Sequence, residues 1–295
     1  MDEVSAVIAR FKRKASDLAA QREYYDGMAD DLPMPPGTTI SATELGGIPA
    51  EQISAGNVRP DRIVLMFHGG GYVVGSPRAY RALNATLSAE AQATCVSIAY
   101  RLAPEHPFPA AVDDASNAYR ALLNGGYGPS NIVFAGDSAG GGLVIAALVK
   151  ARDMGLPMPA AGYAMSPWLD LAGSGDSFSE LAQVDPIMTI EGALGCAGAY
   201  LQGASPHDPL CSPIYADLSG LPPLLLQVGS TEMFLDDSLR LARRAALARV
   251  HLELQVWPDM PHVWQRFAPV LRQAREAVAS AGSFLRSRLD VVVPG

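Results

Sequence analysis

The sequence predicts an α/β architecture, a mostly parallel central sheet covered by helices on both faces, and three observations point to it. Short apolar runs at 63–67, 93–100, 131–135, 161–165, 224–228 and 252–257 read as strands, each separated from the next by a helix-length stretch. Alternation of this kind builds a parallel sheet through helical crossovers. Secondly, a strand, a glycine-pinched turn and a helix meet at Gly136-Asp137-Ser138-Ala139-Gly140. Thirdly, 295 residues with 49% hydrophobic and 18% charged content can bury one large core, which fits a single domain over 1–295 with insertions better than two domains.

From the N-terminus, Val4, Val7, Ile8, Phe11 and Leu18 recur at mainly helical spacing and predict a helix over about 5–25 that closes over the site. Pro33-Met34-Pro35-Pro36-Gly37 reads as a linker. Residues 38–45 and 48–54, joined by Gly46-Gly47, predict an antiparallel hairpin at the sheet edge. The alternation then runs to the C-terminus with one long departure, 171–217. That stretch starts at Gly173-Ser174-Gly175-Asp176-Ser177, carries Asp185-Pro186-Ile187-Met188-Thr189 and includes an apolar helix near 192–201. A connection this long inside a compact domain is uncommon unless it is functional, so a cap built from about 1–32 and about 171–217 is expected.

Charge and cysteine content narrow the function classes. A net charge of −8 and a pI near 5.1 argue against binding nucleic acid or an anionic membrane, since Arg10-Phe11-Lys12-Arg13-Lys14 is too short to form a basic stripe. Cys95, Cys196 and Cys211 lack metal-ligand spacing and are odd in number, so buried free thiols are expected rather than a disulfide framework or a metal site. Met1-Asp2-Glu3-Val4 does not open a basic-then-apolar leader, and no apolar run is long enough to span a bilayer; the expectation is a cytoplasmic protein.

The chemistry concentrates at two glycine-rich turns. A turn as sharp as that at Ser138 exposes the hydroxyl at a helix N-terminus, which makes Ser138 the candidate nucleophile; an ordinary serine-capped turn is the alternative if the motif stood alone. Upstream, the strand at 63–67 runs straight into His68-Gly69-Gly70-Gly71-Tyr72. Backbone N–H groups there, with that of the residue after the nucleophile, suit an oxyanion developing in acyl transfer, so Gly70, Gly71 and Ala139 are the expected donors and His68 a brace for the loop. In this arrangement the order is serine, acid, histidine, which leaves His207, His251 and His262 as bases. His207 lies in a Pro-rich segment and His251 at the N-terminal end of a strand, whereas His262 follows a strand's carboxyl end, where open sheets place their sites. For the acid, Glu232 is the first carboxylate after the strand at 224–228. Asp236 ranks second, because with Asp237 it suits a helix start, and Asp170, beyond another strand end, ranks third.

These residues, together with Tyr100-Arg101-Leu102-Ala103-Pro104-Glu105-His106-Pro107 and Ser166-Pro167-Trp168-Leu169-Asp170, resemble the bacterial hormone-sensitive lipase family of α/β-hydrolase esterases over nearly everything after residue 60. The resemblance implies an α/β-hydrolase fold, carboxylic ester hydrolysis by a Ser-acid-His triad and a helical cap. One departure stands out: the family usually carries aspartate where this chain has Glu232 in Glu232-Met233-Phe234-Leu235-Asp236. Soluble esters of short to medium acyl chain are the expected substrates, with a lactone or amide as the alternative. A non-catalytic ligand-binding protein on the same fold is the rival from another class. Met28, Tyr72, Trp168, Met233 and Val263 are the expected pocket residues. No cofactor or metal is needed, and the expected partners are a small-molecule ester and at most a second copy of the chain.

Overall fold

The computed structural model describes residues 3–11 and 17–289. Eight strands form one sheet in the order β1-β2-β4-β3-β5-β6-β7-β8. The hairpin β1 (Thr39–Leu45) and β2 (Ile48–Ser54) is antiparallel and sits at one edge, with β2 antiparallel to β4 (Ala93–Ile98). β3 (Arg59–Phe67), β4, β5 (Ile132–Asp137), β6 (Ala161–Met165), β7 (Leu224–Gly229) and β8 (Leu252–Trp257) run parallel. The strands expected at 93–100 and 131–135 thus end two residues earlier and later, respectively, than the apolar runs suggested.

Alternation along β3 divides the core. Ile63, Leu65 and Phe67 point into one layer with α4 (Ala110–Asn124), α5 (Ala139–Asp153) and α8 (Leu235–Leu247), while Val64 and Met66 point into the other with α3 (Arg81–Ala91) and α9 (Arg272–Leu289). Strands buried on both faces read as unbroken apolar runs.

The segment expected as one helix over 5–25 is two, α1 (Glu3–Ala9) and α2 (Leu18–Gly27), with 12–16, including Lys12 to Lys14 of the basic run, outside the described residues. Asp17 starts α2 as its N-cap, its Oδ1 accepting from the Ala20 N–H at 2.9 Å. Between β6 and β7 lie α6 (Asp176–Glu180) and α7 (Ile190–Leu201). Among the described residues no helix is long and apolar enough to cross a membrane. Cys95 and Cys211 are buried and Cys196 half-buried, all as free thiols.

Candidate active site

Ser138 sits between β5 and α5 at φ 52°, ψ −121°, a conformation rarely populated by a side-chain-bearing residue. The chain can make this turn only because the residues two before and two after Ser138 have no side chain: a Cβ on Gly136 would lie 2.3 Å from the Gly140 carbonyl oxygen, and one on Gly140 would lie 2.1 Å from that of Phe67. Ser138 Oγ is 2.9 Å from His262 Nε2, and His262 Nδ1 is 2.8 Å from Glu232 Oε2. All three side chains are buried. Burial pulls the imidazole pKa down, but the hydrogen bond and charge of Glu232 outweigh it, and the net shift is upward from 6.5.

Glu232 reaches the imidazole because its other oxygen is anchored. Oε1 accepts from Ser166 Oγ at 2.7 Å and from the Gly229 N–H at 2.5 Å, and Ser166 Oγ in turn accepts from the Val263 N–H at 3.1 Å. One hydroxyl therefore ties the acid to the backbone beside the base. Ser166 was not singled out from sequence beyond its place in the Ser166-Pro167-Trp168 run. The other ranked acids are engaged elsewhere. Asp170 pairs with Arg240 at 2.8 Å and accepts from Ser174. Asp236 Oδ2 takes the Ser177 N–H at 2.8 Å, and Asp237 Oδ2 takes those of Leu169 and Asp170. Asp236 and Asp237 are therefore not caps of α8, whose N-cap is Phe234 without a side-chain bond; Asp236 binds the first turn of α6 and Asp237 the segment that follows β6. His207 rests edge-on against Tyr215, and His251 lies exposed beside Glu253.

The glycine loop leaves β3 at the same sheet edge. Gly70 has φ 115° and a Cβ there would lie 2.2 Å from the Val74 carbonyl oxygen; Gly71 has φ 62°. No acceptor among the described residues takes the N–H of Gly70 or Gly71, and both residues line the cavity beside Ser138. The preceding N–H, of Gly69, is held by Asp137 Oδ1 at 2.8 Å, and Tyr80 Oη donates to the other oxygen of that buried carboxylate at 2.8 Å. Sequence reasoning passed over Asp137, the variable position of the elbow motif. His68 is buried and stacks on Tyr100 at 4.2 Å between ring centres. Burial lowers its pKa to about 4, so it is neutral, and Nδ1–H donates to the Gly69 carbonyl at 2.8 Å. It braces the loop.

The cavity above Ser138 holds about 230 Å³. Met28, Trp168 and Val263 line it, as expected from sequence, whereas Tyr72 and Met233 do not. Tyr72 has φ 64°, is buried behind the loop and stacks on Tyr200 at 3.9 Å; Met233 is packed in the core. Among the walls that sequence reasoning missed are Tyr24 and Tyr25 of α2, Ile187 and Met188 before α7, and Ala193 and Cys196 of α7.

Known proteins resemble this chain in sequence and in structure. A model of the alpha/beta hydrolase fold matches residues 64–266. An acetyl-hydrolase of Streptomyces hygroscopicus is 42% identical over 257 residues, 87% of this chain and 85% of its own. An esterase of Acinetobacter venetianus is 34% identical over 91% of this chain and 88% of its own. A crystal structure of an esterase from the bacterial hormone-sensitive lipase family superposes with a TM-score of 0.95 at 45% identity, covering 97% of this chain and 98% of that one. The chain belongs to this family.

Proposed function

We propose that this protein, a carboxylic ester hydrolase by family, is a serine carboxylesterase that cleaves soluble esters of short to medium acyl chain through an acyl-enzyme. His262 accepts the Ser138 proton as Oγ attacks the ester carbonyl, Glu232 holds the imidazole in the tautomer with Nε2 free, and the N–H groups of Gly70, Gly71 and Ala139 receive the oxyanion. The alcohol leaves with the proton from His262, and water then releases the acid by the same steps. The insertion 171–217 and the N-terminal residues to about 32 act as the cap. The observation that carries the reading is the unbroken Ser138–His262–Glu232 series at 2.9 and 2.8 Å beside the Gly70 and Gly71 amides, which have no acceptor among the described residues. A non-catalytic binding role needs one member of that series to be lost.

The test uses a series of p-nitrophenyl esters together with an organophosphonate that labels activated serines. Ser138→Ala should lower kcat by about 10⁶ and abolish labelling while the fold persists. More than a few per cent of wild-type turnover in that variant overturns the assignment.

A further inference from the structure

The insertion between β6 and β7 does more than roof the cavity, for it grips the backbone next to the acid. Asp185 is 8% exposed and uses both oxygens. Its Oδ1 accepts from the N–H groups of Ile187 and Met188, each at 2.9 Å, and its Oδ2 accepts from the N–H of Met233 at 2.9 Å. Ser177, also buried, completes the grip. Its Oγ donates to the Met233 carbonyl at 2.8 Å and accepts from the Asp236 N–H at 2.9 Å. Both backbone polar groups of Met233, the residue directly after Glu232, are thus held by side chains of the insertion. Phe234 carries the contact onward, stacked on Trp168 at 5.5 Å and edge-on to the His262 ring at 5.3 Å.

We infer that Asp185 and Ser177 are positioning residues for the Glu232–His262 pair, fixing the Glu232–Met233 backbone so that Oε2 stays on Nδ1. The inference rests on the triad roles proposed above. A carboxylate held in place from a separate segment keeps its geometry only while that segment is docked, and misplacement of a reacting group by 1 Å costs about 10²-fold in rate. Asp185 also joins two functions. Ile187 and Met188 line the cavity, so the carboxylate that shapes the substrate wall is the one that steadies the acid loop.

Asp185→Asn separates the contacts. If the amide oxygen stays on the two N–H groups of Ile187 and Met188, the amide nitrogen faces the Met233 N–H, donor against donor. Ser177→Ala removes the second tether, and Ser177→Thr restores a hydroxyl. Asp208→Asn, which perturbs only a local turn through Leu210 in the same insertion, is the control. On p-nitrophenyl butyrate, Asp185→Asn and Ser177→Ala should each lower kcat by about 10- to 100-fold with KM within about twofold. The downfield proton resonance of the His262 Nδ1–H should broaden or move in both. Ser177→Thr and Asp208→Asn should behave like wild type. If Asp185→Asn does not fold, Ser177→Ala against Ser177→Thr decides. Wild-type kcat and an unmoved resonance in Ser177→Ala overturn the inference. An inert, unlabelled wild type instead overturns the esterase reading, and the resonance still reports on positioning in that event.

Discussion

At the scale of single residues, the assignment of Glu232 as the acid can be tested against its nearest competitor. Glu232 faces His262 at 2.8 Å, while Asp236 spends its carboxylate on the Ser177 N–H. Glu232→Gln should lower kcat by about 10⁴ through loss of the correct imidazole tautomer. Asp236→Asn should act on stability by about 1 kcal/mol, the worth of a typical hydrogen bond. Parallel kinetics and thermal melts separate the two, and a dead Asp236→Asn beside an active Glu232→Gln would rewrite the acid. The same pair sets the pH dependence. Because Glu232 outweighs burial and raises the His262 pKa above 6.5, and because only neutral imidazole can accept the serine proton, kcat/KM should fall as pH drops through a value above 6.5. An acid limb centred below 6.5 in the pH–rate profile contradicts this.

At the scale of elements, Arg22 is one of the side chains that tie α2 to the body, beside Tyr25, which meets the Tyr80 hydroxyl at 2.9 Å. Arg22 donates to the carbonyls of Val73 and Ala103, each at 2.9 Å, and forks onto Glu105. The Glu105 arm is solvent-screened and adds little, leaving the two carbonyl bonds to contribute roughly 1 kcal/mol each. Arg22→Ala should therefore make the α2 amides exchange about 30-fold faster, with the sheet unchanged, as measured by hydrogen exchange. Exchange in α2 at the wild-type rate would show that its other contacts, Tyr25 with Tyr80 and Arg266 among them, suffice to dock it. Elements were legible from sequence where one local force decides them. The parallel strands are apolar on both faces, and the two glycine turns are fixed by backbone approaches too close for a Cβ. The N-terminal segment reads as one helix because its apolar spacing continues through both helices, whereas Asp17 starts α2 anew as its N-cap. Tyr72 and Met233 failed as pocket residues for a different reason. A positive φ turns Tyr72 away and the Met233 backbone is gripped from the insertion, and neither leaves a local trace in the sequence. The same holds for Asp237, whose partners are Leu169 and Asp170.

At the scale of the whole molecule, substrate range follows from how Phe11, α2, Met28 and the β6–β7 insertion enclose one small chamber. About 230 Å³ lies below the ~300–1,000 Å³ of pockets that hold drug-sized ligands. Its walls bring Met28, Trp168, Ile187 and Val263 around Ser138, with Ser138 and His262 as the polar centre. Each methylene of an acyl chain gains about 0.8 kcal/mol while it can be buried there, and gains nothing once the chamber is full. Across p-nitrophenyl esters of increasing chain length, kcat/KM should therefore rise through the short acyl groups by up to about fourfold per methylene. It should then turn over at medium length and fall as longer chains clash with α7. The chamber is formed with the insertion docked, as the ties of Ser177 and Asp185 to the Met233–Asp236 backbone describe. Substrate in solution then has no need of a lipid–water interface to open the site. Initial rates measured through the solubility limit of a medium-chain ester should follow simple saturation. A sharp rise in rate at the point where droplets appear would mean that the insertion is displaced by an interface, and the chamber described by these walls would then not be the one that selects the substrate.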